Sequence, residues 1–224
     1  SIKYMLPSCV PSTPYETSGA NLGAKEMEEA LENYDLLGIG EFMDFVGVSQ
    51  GSDLALEKLL VAKKFGKTID GHSPGLSGKL LNAYVAAGVG TDHECSTIEE
   101  MKERIAAGMF IQLREGSAAK NLEDLIKGVN SNNTRRCLLC SDDRQVKTIF
   151  EEGHLNRHLS ICVESGISPI HAIQMASLNS SECYNLKDRG GIAPGKRADI
   201  VLFEDLKEFK AKKVFSKGKL VAED

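Results

Sequence analysis

The sequence predicts an α/β protein built on a parallel sheet, and three observations carry that expectation. Short apolar runs alternate with amphipathic stretches as far as about residue 165. Each amphipathic stretch is long enough to be a crossover helix, and strand–helix alternation is the pattern of parallel strands covered by helices. With 42% hydrophobic and 26% charged residues, the composition is that of a globular chain with apolar residues for a core throughout.

The strand-like runs are 4–10, 36–42, 68–72, 88–92, 109–113 and 137–141. Between them, helical patterns span 23–33, 52–65, 77–87, 96–107, 118–129 and 145–166. Ser96 with Glu99 three residues on reads as a capping box ahead of an apolar-periodic run. Ser168-Pro169 places a cap and a first-turn proline before a helix over 170–178. Six strand–helix units suit either a doubly wound sheet or a (β/α)8 barrel two units short of complete, and counting does not choose between them. The chain opens directly in a strand-like run, which reads as a missing N-terminal part. The tail changes character after the turn-rich Gly190–Gly195: short strands at 198–203, 213–216 and 220–222, with a tight turn at Lys217-Gly218, predict a piece of a small β domain.

Net charge is −5 and no basic stripe interrupts the chain, which argues against a nucleic-acid partner. No run of eighteen apolar residues predicts a membrane span, and the first residues lack the pattern of a signal peptide. Six scattered cysteines suit reduced thiols in a cytoplasmic protein better than a disulfide framework.

Polar residues close successive strands. Glu41 follows the apolar run from Leu36, His72 follows Thr68–Gly71, and Asp92-His93-Glu94 follows Gly88–Thr91. Arg114-Glu115 follows Met109–Leu113, and Asp142-Asp143 follows Cys137–Ser141. In a parallel barrel the C-terminal strand ends face one mouth, so these residues would converge there despite their separation in sequence. A lone histidine at a strand end is more often structural, and a lone acid is more often a helix cap. Five strand ends in succession carrying such chemistry point instead to a metal site, for which neutral imidazoles and ionised carboxylates suit zinc, manganese or iron. A bound metal lowers the pKa of water towards about 7, and a nearby carboxylate can take and return the proton.

The runs GIGEFMDF at 38–45, DGHSPGLSGK at 70–79, TDHEC at 91–95, LREGSAAKN at 113–121 and CSDDR at 140–144 resemble the adenine deaminase family of the amidohydrolase superfamily. Gly153-His154 and IAPGKRADI at 192–200 continue the resemblance, which runs nearly end to end and in order. HSPGLSG and REGSAAKN are the more specific runs, while APGKRAD is shared across many amidohydrolases. The resemblance implies a (β/α)8 barrel lacking its first strands over 1–185 and part of a small β-sandwich domain over 186–224. It also implies a binuclear divalent centre of manganese or iron, with zinc as the alternative. Glu41, from the fourth barrel strand, would bridge the two metals. His72 and His93 would bind metal from the fifth and sixth strands. Asp142, from the eighth, would bind metal and shuttle the proton, with Glu94 as a second catalytic carboxylate. Arg114, Glu115, Ser117 and Asp143 would hold the purine. The implied reaction is hydrolytic deamination of adenine to hypoxanthine and ammonia in purine salvage, by a small-molecule enzyme of the cytoplasm that forms a homo-oligomer.

The chain departs from the family in one respect: the His-x-His pair that ends the first barrel strand, and the acidic and histidine-bearing segment of the second, are absent. The 224 residues therefore read as a fragment or an internally truncated form holding part of the metal cage, inactive alone. A related amidohydrolase acting on another cyclic amidine or amide would share the same four ligands. A truncated, non-catalytic paralogue that binds a ligand or partner subunit is the reading from a different class.

Other motifs carry less. Cys137 and Cys140 are three apart on a strand, point to opposite faces and read as buried thiols. His154 and His158 share a helical face but lack the glutamate of a zinc-protease motif, so a packed face is expected, with His154 alone approaching the site. His171 reads as structural. Ser117-Ala118-Ala119-Lys120 has the spacing of an acyl-enzyme serine and lysine without the partner motifs.

Overall fold

The computed structural model describes residues 2–224. The chain forms two compact units, one of residues 1–95 and 102–110, the other of residues 96–101 and 111–224.

The first unit contains β1 (Tyr4–Pro7), α1 (Ala24–Asn33), β2 (Leu36–Phe42), α2 (Phe45–Gln50), α3 (Asp53–Lys64), β3 (Thr68–Gly71), α4 (Gly78–Ala86) and β4 (Thr91–Asp92), with the last turns of α5 (Ile98–Ala106). Strands β1, β2 and β3 lie side by side in that order and all run parallel. The order follows from the sequence, since each strand is separated from the next by helical turns that must cross over one face. Ile39, Phe42 and Ile69 on these strands are buried. Helix α1 turns Met27 and Leu31, one turn apart, inward, and α3 does the same with Ala55, Leu59 and Ala62. The two helices pack on each other. The α1 start is fixed by Glu26, whose carboxylate accepts from Gly23 N at 3.0 Å.

β4 lies against β3 through Gly90 N donating to Ile69 O (3.0 Å) and Gly71 N donating to Thr91 Oγ1 (3.2 Å). The approach is close enough that a Cβ on Gly71 would lie 2.2 Å from Thr91 O. The expected strand over 88–92 is cut to two residues. Gly88, at φ 110°, has the left-handed backbone of a turn and ends the α4 connection instead of starting the strand. Helix α2 is not legible as periodicity because it is only six residues long. Its start is set by Asp44, which accepts from Gly47 N at 2.8 Å, and its end by Gly51 in the left-handed region.

The second unit contains β5 (Phe110–Arg114) from Ile111 on, α6 (Leu122–Leu125), 3-10 turns at Ile126–Gly128 and Thr134–Arg136, β6 (Cys137–Cys140), α7 (Val146–Glu152), α8 (Leu155–Glu164), α9 (Pro169–Ala176) and α10 (Leu178–Cys183). Strands β5 and β6 are parallel, in register from Ile111 opposite Cys137 to Arg114 opposite Cys140. The helical pattern over 118–129 shortens to α6 because Glu115 and Lys120 bridge backbone to backbone and hold 116–119 as a loop. The single helix expected over 145–166 is two, broken where Gly153 adopts φ 92° and His154 leaves helical geometry. Glu100, not Glu99, closes the α5 box: its carboxylate accepts from Ser96 N (2.8 Å) and Thr97 N (3.1 Å), while Thr97 Oγ1 accepts from Glu100 N (3.2 Å). Ser168 caps α9 as expected, accepting from His171 N, with Pro169 in the first turn.

The tail forms an antiparallel sheet, β7 (Ile200–Phe203), β8 (Ala211–Ser216) and β9 (Lys219–Glu223). Lys217 and Gly218 both have positive φ, the backbone of a two-residue hairpin turn. Phe209 is fully buried and meets Phe203 edge-on at 5.3 Å, and Ser160 Oγ donates to Glu208 O, tying the tail to α8.

Candidate metal centre

In the first unit the ends of β2, β3 and β4 bring together Glu41, His72, His93 and Glu94. Glu41 Oε2 lies 3.1 Å from His72 Nδ1 and 3.1 Å from His93 Nε2. Glu94 Oε1 lies 3.6 Å from His72 Nδ1 and 3.4 Å from His93 Nε2. The two imidazoles meet edge-to-face with centroids 5.4 Å apart. One donor atom from each of Glu41, His72 and His93 falls within 4.8 Å of the others. Two imidazole nitrogens and a carboxylate oxygen this close together are the donor set of a borderline divalent ion, so the residues fit the metal that the strand-end pattern predicts.

Electrostatics follow from that proximity. Hydrogen bonds from His72 and then His93 hold the Glu41 carboxyl well below the usual carboxylate range. Burial alone would lower the His93 pKa, but its hydrogen bond to Glu41 and the charges of Asp70, Glu41 and Glu94 raise it on balance.

The backbone beneath Glu41 is held from β1. Ser8 Oγ donates to Gly40 O (3.1 Å) and Glu41 O (2.9 Å), and Cys9 Sγ donates to Glu41 O (2.8 Å). Sequence reasoning missed these contacts because a serine and a cysteine after a strand carry no periodic or motif signal.

In the second unit Arg114 Nη1 donates to Asp142 Oδ2 at 2.8 Å, and Arg114 Nε and Nη2 donate to Asn121 Oδ1 at 3.2 and 3.0 Å. Glu115 is buried, and burial pushes its carboxyl pKa up. Its Oε1 lies 3.6 Å from Lys120 Nζ, while Oε2 has no hydrogen-bond partner. Ser117 Oγ donates to Thr148 Oγ1 and accepts from Gln145 N, both at 2.8 Å, so this hydroxyl ties loop to helix. Asp143 contributes its carbonyl, which accepts from Ser117 N at 2.9 Å, while its side chain is exposed. Lys120 reaches Glu115 and Glu152, and its contacts do not include Ser117.

Of the motifs set aside, Cys137 and His158 are packed inside, whereas Cys140 is half-buried and His154 is exposed. Cys137 is buried and its thiol is pushed up to about 12. His158 is fully buried, with ring nitrogens 2.9 Å from His154 O and 3.1 Å from Cys140 O, and burial pushes its pKa down to about 4. His154 is exposed, 6.2 Å from the His158 ring. Among the described residues no helix is long and apolar enough to cross a membrane.

Residues 1–221 match the model of the amidohydrolase family. The chain belongs to the amidohydrolase family. Within it, the chain is 60% identical over 222 residues to "Adenine deaminase 2" of Desulfotalea psychrophila, an alignment covering 99% of this chain and 38% of that one. It is 50% identical over 222 residues to "Adenine deaminase" of Ligilactobacillus salivarius, again covering 99% and 38%. The chain thus spans about 38% of the length of these curated relatives. Among solved amidohydrolase-like structures, β-aspartyl dipeptidase of Fervidobacterium islandicum AW-1 matches with a TM-score of 0.66 at 16% identity, covering 89% of this chain and 61% of that one. N-acetyl-D-glucosamine-6-phosphate deacetylase of Mycobacterium smegmatis matches with a TM-score of 0.61 at 15% identity, covering 89% and 59%. At these identities the likeness is one of fold.

Proposed function

We propose that this amidohydrolase chain carries part of the metal centre of an adenine deaminase, which hydrolyses adenine to hypoxanthine and ammonia. The observation that carries the reading is the Glu41–His72–His93 cluster, a cation-shaped arrangement of donors on three neighbouring strand ends. The names of the relatives at 60% and 50% identity support adenine as the substrate. Residues 1–185 are read as part of a (β/α)8 barrel and 186–224 as part of a small β domain. The parallel β1–β2–β3 sheet and the fold of the solved relatives support the first, and the antiparallel β7–β8–β9 sheet the second.

In this reading Glu41, His72, His93 and Asp142 would be this chain's share of the ligands for a binuclear centre of divalent ions, manganese or iron with zinc as the alternative. Bound metal would supply acidity, lowering the pKa of water towards about 7. Asp142, whose Oδ2 is held by Arg114, would take the water proton on Oδ1 and deliver it to the departing amino nitrogen. Glu94 would serve as a second proton-holding carboxylate beside His93. Glu115 Oε2, buried without a partner, suits a hydrogen bond from a purine N–H, with Arg114, Ser117 and Asp143 shaping the loop around the base. The protein would act in purine salvage in the cytoplasm as a homo-oligomer.

The test is ammonia release from adenine by the full-length gene product supplied with manganese, together with metal analysis. Release with about two ions per chain is expected. No release with manganese, iron or zinc would overturn the reading, and release only from another cyclic amidine or amide would move the substrate.

A further inference from the structure

Three buried side chains outside the donor cluster touch the backbone on either side of it. Tyr84, on α4, is fully buried; its hydroxyl accepts from His72 N at 3.1 Å and donates to Phe42 O. That one oxygen ties the residue after Glu41 to His72 itself. Asp92, at the end of β4, is also fully buried and grips both neighbouring turns. Its Oδ2 accepts from Ser73 N (3.1 Å) and from Ser73 Oγ, and its Oδ1 accepts from Glu94 N at 2.7 Å. The residue after His72 and the residue after His93 therefore hang on one carboxylate. Arg104, on α5, has no exposure at all; its Nε lies 3.5 Å from Asp92 Oδ2 and its Nη2 donates to Ser73 O.

An ion pair this deeply buried is costly to form, because both charges leave water, and a well-packed apolar pair often serves stability as well. Its contacts here do something an apolar pair cannot: they fix backbone positions on both sides of the two imidazoles. We propose that Tyr84, Asp92 and Arg104 are positioning residues that set the spacing of Glu41, His72 and His93, so that the site is shaped for a divalent ion before one arrives. The proposal rests on the metal reading above and adds to it the origin of the geometry. Groups that orient metal ligands from behind typically change affinity by about 10–100-fold when removed.

The experiment titrates the purified full-length gene product that contains this chain with Co²⁺, reading affinity and the visible d–d spectrum, alongside the melting temperature without metal. Tyr84→Phe keeps the ring and removes both hydrogen bonds; Asp92→Asn keeps the shape and removes the charge. Each is expected to weaken Co²⁺ binding about 10–100-fold and to alter the d–d band, whereas Leu59→Ala, a core truncation in α3, lowers the melting temperature with affinity and spectrum unchanged. Should Asp92→Asn fail to fold, Tyr84→Phe alone decides. Wild-type affinity and spectrum in Tyr84→Phe would overturn the positioning role while leaving the metal reading intact. No Co²⁺ binding by the unsubstituted chain, or binding unaffected by His72→Ala, would overturn the metal reading and this proposal with it.

Discussion

The strand ends of the two units use charge in opposite ways. In the first, Glu41 and Glu94 face the two imidazoles of His72 and His93. In the second, the carboxylates and carbonyls at the strand ends are met by guanidinium groups: Arg114 holds Asp142, and Arg144 donates to Glu115 O (3.0 Å), Gly116 O (3.3 Å) and Gly153 O (2.9 Å). A fixed guanidinium satisfies its acceptors permanently, so the carbonyls around Arg144 are held in place, while Glu115 Oε2 is left without a partner. An imidazole nitrogen is itself a metal donor, so this cluster can meet a cation with nitrogens as well as carboxylates. The difference is between carboxylates that face imidazoles and loop carbonyls that guanidinium groups fix.

The sharpest way to break this contrast is to remove an imidazole. If the proposed function holds, His93→Ala in the full-length protein is expected to lower adenine deamination by roughly a thousandfold or more, measured by ammonia release, because the proposed hydrolytic centre would lose a ligand. Near-normal turnover would make the cluster structural.

Next in size is the scaffold side. Arg144→Met leaves three carbonyl oxygens without their donor, and a loss of about 2–4 kcal/mol is expected in urea denaturation, with Co²⁺ affinity unchanged. A fall in affinity equal to that of His72→Ala would erase the distinction between the units.

A third measurement uses pH. His158 has a folded-state pKa of about 4 against an ordinary 6.5, so it is buried neutral. Its contribution is fully present above pH 6.5 and is lost as pH falls from 6.5 through 4, amounting to about 3 kcal/mol. The melting temperature should drop across that window, and His158→Gln should flatten the drop. A profile identical in both proteins would place the acid sensitivity elsewhere.

The smallest effect calibrates the others. Asp44→Ala removes the α2 cap and should cost about 1 kcal/mol, read as a shift of a few degrees in melting temperature. A much larger loss would mean that Asp44 does more than cap.

Much of this contrast is legible in the sequence. β2 runs from Leu36 to Phe42 as its apolar run predicts, and α1, α3 and α4 fall within a residue of their periodic patterns. Glu41, His72 and His93 are readable because strand ends are marked by a change from apolar to polar, and parallel strands share a direction. The misses have physical causes. Gly153 breaks a helix whose apolar period continues through it, and the 116–119 loop carries good helix formers held in place by a backbone bridge. Arg104 is the clearest case: three residues after the buried Met101, it sits on the inward face of α5, where a charge is read as a mistake in the pattern unless its partner is known. Asp92 and Tyr84 belong to strands and helices that periodicity describes well, but Asp92 reaches Ser73 19 residues away and Tyr84 reaches Phe42 42 residues away, and no local signal reports those two partners.

The missing side chain at Gly71 has a consequence for the chain's history of change. A single methyl there would have to push β4 off β3, since Thr91 O already occupies its place and Val89 and the Tyr84 hydroxyl close the remaining sides. The wedge would widen the gap between the two imidazole-bearing turns before any ligand was altered. Position 71 should therefore tolerate no substitution while the histidines keep a task, and should begin to drift in any descendant that has abandoned it.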